Sequence, residues 1–492
     1  MTDRDMTIID RDGAEPQPAA RPWRHLVGTR RDWRLVRPAR PTLGRPSRTW
    51  IGPALVIITV FGSWPAFAGT AGEDGDVSFA LYAGSCSIMS MAWSFVLALR
   101  WRLFEPLFGG LDRMYRVHRS LAVVVLAGMW LHTQQVDELL AGIRGASRDT
   151  ADAAEDLAGL AETLLYILIG ISVLRMLPWR IWRLGHKLLG IPFLFASWHF
   201  FTAEKPHANT SIWGWWFTIA MLTGAVAWLW RVIVLDMVRR GTPYTLTSVV
   251  HTPGTTTLEL TPAGSRGIRH RAGQFAFVKL LGPGLAEPHP FSIASSPDET
   301  ALRFHVRDLG DWTMRMREGA QVGDRVMVDG PYGRFMPLPS QPRATVWIAG
   351  GIGITPFISA AQETPAGAAH PPDLFYAARC EADAIGLDEL RRADDEGRIR
   401  LHVHASADAN RLTEQTLHDH FGDGGLAGAY VAICGPDRLI HDMVHAARSL
   451  GATDVHHEDF DLRSGVGPDL SRHLALLNLG RFGRRTEVPS SG

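Results

Sequence analysis

Apolar residues gather into six long stretches in the first half of the chain, at about 49–69, 78–99, 116–136, 159–178, 183–203 and 211–236. Each is long enough, or nearly so, to cross a bilayer core that takes about 20 residues of helix. Beyond residue 240 the texture changes. Short β-prone runs at 244–252, 255–262, 274–281, 291–295, 301–308 and 325–329 are separated by Gly, Pro and Asp turns, the pattern of a small antiparallel barrel. From 344 strands at 344–349, 373–378, 399–405, 429–434 and 455–460 alternate with helical patterns near 355–363, 386–396, 411–420 and 436–449. That alternation predicts a parallel α/β sheet. The expected fold is multidomain: an all-α six-helix transmembrane bundle, an antiparallel β-barrel, and an α/β parallel-sheet domain.

The polar segments set the orientation. Arg21, Arg24, Arg30, Arg31 and Arg34 precede the first span, and Arg100, Arg102, Arg113, Arg116 and Arg119 lie between the second and third. Arg175, Arg180, Arg183 and Lys187 mark the fourth-to-fifth turn, with Pro178 at its break, and Arg231, Arg239 and Arg240 follow the sixth. The alternate loops carry acids: Glu73, Asp74 and Asp76, then Asp137, Glu138 and a run through Glu155 and Asp156, with 146–158 read as a solvated connection. Basic loops stay on the cytoplasmic side of a cell membrane, so both termini and the soluble half are expected there. The first 47 residues are Arg- and Pro-rich with no apolar signal core, and are read as a flexible cytoplasmic arm. Most of the 17 tryptophans lie in or beside the apolar runs, as residues of bilayer interfaces do. A net charge of zero implies no nucleic-acid partner. Cys86, Cys380 and Cys434 have neither metal-ligand spacing nor a disulfide framework.

Four histidines stand out within the apolar half. His118 and His132 are fourteen residues apart in the third span, and His186 and His199 are thirteen apart in the fifth. On a helix either interval covers roughly 20 Å, and both are read as near whole numbers of turns, keeping each pair on about one face. The third and fifth spans run the same way, so His118 and His186 share the inner level and His132 and His199 the outer. Imidazole is a good axial ligand for haem iron, and the pattern reads as two stacked bis-histidine clamps. The alternative is four unrelated histidines satisfied by local hydrogen bonds. His25, His207 and the remaining soluble-half histidines read as surface residues.

In the soluble half, Gly350-Gly351-Ile352-Gly353-Ile354-Thr355-Pro356 follows an apolar strand and opens a helix, a setting that suits a pyrophosphate. Pro356 stands where a dinucleotide fingerprint would have its third glycine. Cys434-Gly435-Pro436 ends another strand of the same sheet, either a nicotinamide-pocket wall or a buried thiol and a turn. In the barrel, His289-Pro290-Phe291-Ser292 offers a phosphate contact, a ring cover and a hydroxyl for a ring heteroatom. Gly310-Asp311-Trp312-Thr313 opens a short helix whose free amides suit a second phosphate. By composition alone, both barrel segments read as turns with core aromatics before they read as cofactor contacts.

Through these residues the chain, over about 48 to 461, resembles the NADPH oxidase and ferric reductase superfamily, in a prokaryotic-type form. The resemblance implies domains at 48–240 (six-helix di-haem), 241–340 (FAD-binding barrel) and 341–461 (NAD(P)H-binding α/β), between the arm 1–47 and an extension 462–492. It implies FAD, NAD(P)H and two b-type haems on His118, His132, His186 and His199. His289 to Ser292 is similar to the family's flavin motif in the histidine form of the oxidases. His305-Val306-Arg307 with Gly310 to Thr313 resembles the second flavin segment, and Asp329 to Gly333 the joining strand and turn. Gly350 to Pro356 and Cys434 to Pro436 resemble the two nicotinamide motifs. Phe460 resembles the aromatic that covers the flavin until nicotinamide displaces it, and with Cys434 and Ser292 it would form the hydride-transfer site. Arg379 offers a 2′-phosphate contact favouring NADPH, or is an ordinary surface arginine.

The implied activity is transfer of electrons from cytoplasmic NAD(P)H through FAD and both haems to an extracytoplasmic acceptor, oxygen or a ferric chelate. A membrane-anchored flavin reductase, or a haem subunit serving a quinone or an unidentified partner protein, is the alternative. No calcium-loop pattern is present.

Overall fold

The computed structural model describes residues 48–68, 75–134, 142–173, 179–234, 241–336, 344–408 and 410–458. The amino-terminal arm, Pro178, Phe460, the 340/341 domain boundary and the extension 462–492 lie outside the described residues.

The first half is helical: α1 (Ile51–Phe61), α2 (Gly75–Ala98), α3 (Glu105–Phe108), α4 (Leu111–Thr133), α5 (Arg148–Val173), α6 (Trp179–Leu188), α7 (Gly190–Thr202) and α8 (Ile212–Leu229). Among the described residues, Val77–Ala98 and Ile212–Val234 are long and apolar enough to cross a membrane, and Ile51–Ala66 is a shorter apolar segment. α2 and α4 pack closely because glycine lies between them: a Cβ on Gly128 would stand 3.2 Å from that of Ser87. Ser87 then donates its hydroxyl to the Val125 carbonyl across the gap (2.9 Å). A strand pair, β1 (Ile143–Arg144) with β2 (Glu204–Lys205), joins the α4–α5 and α7–α8 connections.

Two expectations are corrected here. The segment 148–158 is the first three turns of α5 and not a loop. Its alanines are strong helix formers, its acids sit at the favourable amino end of the helix dipole, and Ser147 faces Thr150 at the start (Oγ to Oγ1 2.8 Å). The fifth apolar stretch is two helices, broken at Leu189. Pro192 has no N–H to offer the Leu188 carbonyl and its ring clashes there, which ends α6. The Trp228 indole donates to the freed Lys187 carbonyl (2.8 Å) and lies against Gly190, where any Cβ would overlap its ring.

The barrel contains β3 (Thr242–Thr252), β4 (Thr255–Pro262), β5 (Phe275–Leu280), β6 (His289–Ser292), β7 (Leu302–Arg307) and β8 (Arg325–Tyr332), with helix α9 (Asp311–Gly319). The antiparallel order is β6-β5-β8-β3-β4-β7, and a bridge from Ile293 to Phe304 joins its two ends. Alternate residues point inward, so Leu246, Leu258, Leu260, Val278, Phe304, Val306, Val326 and Val328 fill the interior.

The last third is a parallel sheet of β9 (Thr345–Gly350), β10 (Asp373–Ala378), β11 (Arg400–Ala405), β12 (Tyr430–Cys434) and β13 (Asp454–Glu458), ordered β11-β10-β9-β12-β13. Successive strand residues alternate between two cores. Trp347, Leu374 and Ala432 meet α10 (Thr355–Glu363) and α11 (Leu387–Asp395). Ile348, Phe375 and Val431 meet α12 (Glu414–Phe421) and α13 (Asp437–Ser449).

The three parts are joined by specific contacts. Phe275, Phe277 and Tyr332 of the barrel belong to the same apolar core as α1, α2 and α4. Arg100, in the left-handed region at φ 53°, lays its guanidinium 4.2 Å over the Phe277 ring, and Arg102 donates to the Gly330 carbonyl. Arg303 of β7 pairs with Glu389 of α11 (2.9 Å), and Ser359 donates to the Ser295 carbonyl (2.8 Å).

Candidate functional site

The helical half brings its four histidines into two facing pairs. The rings of His118 and His186 have centroids 5.9 Å apart, and those of His132 and His199 are 6.4 Å apart. A metal–imidazole bond of about 2 Å puts two opposed ligand rings roughly 6 Å apart, centroid to centroid, so both pairs have the separation that one shared iron requires. Three of the four outer nitrogens are occupied. Nδ1 of His118 donates to the Ser94 carbonyl and that of His132 to the Ala80 carbonyl, both at 3.2 Å. Ser172 passes its own hydroxyl hydrogen to Leu168 and accepts from Nδ1 of His186 (3.0 Å). Those bonds fix the tautomer that leaves Nε2 bare for a metal. Nδ1 of His199 has no partner among the described residues. Gly84 gives His132 room, since a Cβ there would stand 2.8 Å from its ring, and Trp182 stacks on His186 at 5.0 Å.

Thirteen residues are not close to a whole number of turns. On an unbroken helix His199 would face about 140° away from His186, at 100° per residue. The interruption at Leu189 rotates α7 relative to α6 and turns both rings toward α4. His207 is also not a surface residue: it is buried and stacked on Phe217 at 5.7 Å. His270 is buried too, its Nε2 donating to the Ser295 carbonyl (3.1 Å).

In the barrel, His289 stacks on Trp312 (4.1 Å), and Phe291 lies 5.9 Å from the same indole. Pro290 and Ser292 share their strand, β6, and pair with Phe277 and Phe275. Burial pushes the His289 imidazole down to about 4, against the pull of Glu287 at 3.8 Å. His289 is therefore neutral near pH 7 and would meet a phosphate as an N–H donor, without a cation's charge. His305 is likewise pushed down to about 4 by burial and by Arg303, and its Nδ1 meets the Thr257 hydroxyl (2.9 Å). At the start of α9 the hydroxyl of Thr313 accepts from the amides of Leu309 and Gly310, both at 3.0 Å. Within the segment Gly310 to Thr313, the Gly310 amide is thus taken up by the chain's own hydroxyl. Asp311 pairs with Arg315 (3.3 Å), and Trp312 is buried core.

The glycine loop follows β9, and Cys434-Gly435-Pro436 follows its neighbour β12. The strand order reverses between these two strands, which is the place where open parallel sheets bind ligands. The two loops are in contact. A Cβ on Gly353 would stand 2.6 Å from the Cys434 carbonyl carbon and 2.7 Å from the Gly435 nitrogen, and one on Gly350 would stand 2.9 Å from Pro436. Gly351 takes a left-handed φ of 53°, and a Cβ there would lie 3.4 Å from Nη1 of Arg307, which reaches across from the barrel. Thr355 donates to the Ile352 carbonyl (2.8 Å), and Pro356 begins α10 where its missing N–H costs nothing. Cys434 is fully buried, and burial pushes its thiol well up. Arg379 is largely exposed past β10 and bonded to Asp383 (2.8 Å).

Family models match three consecutive segments: a ferric reductase like transmembrane component over residues 83–197, an FAD-binding domain over 244–336, and an oxidoreductase NAD-binding domain over 347–445. Dual oxidase 1 of Homo sapiens is 36% identical over 117 residues, 20% of this chain and 8% of that one. NADPH oxidase 1 of Mus musculus is 35% identical over 98 residues, 19% of this chain and 17% of that one. The chain belongs to the NADPH oxidase and ferric reductase superfamily. The matched segments span under a fifth of those relatives' own lengths. Among solved structures, a flavohemoglobin from Malassezia yamatoensis with bound FAD and heme aligns over 84% of this chain and 99% of that one, at 17% identity and TM-score 0.44. A ferredoxin NADP+ reductase from Neisseria gonorrhoeae aligns over 44% and 98%, at 19% identity and TM-score 0.37.

One residue of this superfamily member was not singled out in its sequence. Glu458 ends β13 in register with Cys434 and is buried, its Oε2 without a hydrogen-bond partner among the described residues. Burial, and secondarily Asp112 of α4, push its carboxyl well above the usual range. The signal was its place opposite the cysteine, which only strand register reveals.

Proposed function

We propose that this chain is an integral membrane flavocytochrome b oxidoreductase that takes electrons from cytoplasmic NAD(P)H and delivers them to oxygen or a ferric chelate across the membrane. The facing histidine pairs support this reading most directly. Nε2 of His118 and His186 would hold an inner haem, and Nε2 of His132 and His199 an outer one, in a bundle of six crossings with both termini inside. His289, Phe291, Ser292, His305 and Arg307 would hold FAD in the barrel. The loops at Gly350 to Pro356 and Cys434 to Pro436 would hold the nucleotide, with Phe460 closing over the flavin and Arg379 favouring NADPH. When bound, FAD divides a two-electron hydride into single electrons, which b-type haems carry one at a time.

The chain's own contribution is placement. His118 lies two turns, about 10 Å, into α4 from the end that meets the barrel. Arg100, Phe275, Phe277 and Tyr332 pack that junction and keep water from it. Gly351 and Gly353 let backbone approach a pyrophosphate, and Cys434 and Glu458, in register at the ends of β12 and β13, would wall a nicotinamide ring.

The test is an anaerobic absorption spectrum of the detergent-purified protein, with haem and FAD counted per chain, before and after NADPH. Two b-type haems, one flavin and haem reduction by nucleotide are expected. Flavin without haem would reduce the helical half to an anchor and overturn the proposal.

A further inference from the structure

Away from the nucleotide loops, three side chains from three elements converge at the edge of the parallel sheet. Asp373 opens β10, His402 lies on the edge strand β11 and His420 is in the last turn of α12. Nε2 of His402 is 3.0 Å from Oδ1 of Asp373, Nε2 of His420 is 3.8 Å from the same oxygen, and one ligand atom from each residue lies within 4.8 Å of the others. Phe375 holds both imidazoles, stacked on His402 at 4.6 Å and edge-on to His420 at 5.2 Å.

We propose that Asp373, His402 and His420 bind a divalent transition-metal ion of the zinc type. A tetrahedral zinc with bonds of about 2.0–2.1 Å keeps its ligand atoms roughly 3.3 Å apart, so the two measured separations fall on either side of the required value. Two imidazoles and a carboxylate suit zinc better than the oxygen-preferring calcium or magnesium.

Arg400 donates to both oxygens of Asp373, through Nε (2.8 Å) and Nη2 (2.5 Å). It orients the carboxylate as a supporting shell does, while its positive charge opposes a cation there. Asp394, close enough to His402 to feel its charge, accepts from the Leu401 amide (3.1 Å). His404 faces Phe375 further along β11, with Nδ1 on Asn410 (3.0 Å).

Asp373 is in register with Val346 at the start of β9, whereas the glycine loop follows the strand's other end. About four residues of strand, some 13 Å, separate them, so the metal takes no part in hydride transfer. It clips α12 to the edge of the sheet.

The test uses the full-length protein in detergent, stripped with a chelator and dialysed against zinc chloride, with bound zinc counted and the thermal midpoint followed. Wild type is expected to take one zinc at micromolar concentration and to melt at a higher temperature with it. His402→Gln and His420→Gln should each lose that zinc, with affinity at least tenfold weaker and flavin content unchanged. His441→Gln with His445→Gln, on the exposed face of α13, should keep it. Equal zinc binding in wild type and His420→Gln, or loss only in the α13 variant, overturns the proposal. Should both ligand variants fail to fold, a wild-type midpoint that does not rise with excess zinc overturns it as well.

Discussion

Gly353→Ala tests the contact between the two nucleotide loops. A Cβ at that position would stand 2.6 Å from the Cys434 carbonyl carbon and 2.7 Å from the Gly435 nitrogen. Ordinary carbon contacts begin at about 3.5 Å, so the loops must part by nearly 1 Å. The obstruction is backbone, ends a central strand and cannot swing aside as a flexible side chain would. A displacement of about 1 Å at reacting groups costs on the order of 10²-fold in rate. The variant should therefore reduce its flavin with NADPH about a hundredfold more slowly in anaerobic stopped-flow absorbance, with FAD content and haem spectrum unchanged. Gly367→Ala supplies the control. Gly367 has a left-handed φ, 66°, which Gly353 does not, and its Cβ would meet nothing within 4 Å. That change costs about 1–2 kcal/mol of backbone strain and leaves the nucleotide step alone. If Gly353→Ala reduced flavin within threefold of wild type, the two loops would not form the hydride-transfer site.

His132→Ala should drop haem content from two per chain to one while flavin reduction by NADPH proceeds at the wild-type rate; retention of both haems would break the pairing with His199. Acid should loosen the flavin domain. His289 and His305 are both held near 4, against an ordinary 6.5, so the unfolded chain binds protons that the folded one refuses. Their contribution is full above pH 6.5 and is lost as pH falls toward 4, which flavin release monitored by fluorescence would show; a flat retention profile across that window is the contrary result. The Arg303–Glu389 pair joins barrel to sheet, and a double-mutant cycle on thermal unfolding should give a coupling of about 1 kcal/mol, reduced by its partial exposure. A coupling near zero would mean that other contacts hold the two domains.

The sequence was most legible where local chemistry dictates local structure. Asp373–Ala378, Thr255–Pro262 and Thr355–Glu363 lie where period and turn residues put them, because glycine, proline and β-branched residues act within a few positions. Legibility failed where one local signal outvoted another. The charges of 148–158 suggested solvation, although the alanines among them favour helix, and Pro192 announced a break that the surrounding hydrophobicity concealed. It failed more fully where residues meet only through the fold. Glu458 faces Cys434 by strand register, and Asp373, His402 and His420 are separated by dozens of residues. The flavin segment shows the same limit: Thr313 was visible as a polar residue at a helix start, but not that its hydroxyl would accept from the Gly310 amide.

The joint at Leu189 makes the two histidine-bearing elements unequal in their tolerance of change. α4 is one continuous rod, so inserting a single residue between His118 and His132 would swing one ring by about 100° and part it from its mate. Between His186 and His199 the phase is set at a hinge point and held by Trp228 against Gly190, and a gained or lost residue can be taken up there. Homologous chains should therefore keep the fourteen-residue interval strictly while letting the other drift. A search keyed to equal spacings in both helices would overlook members whose clamps are intact.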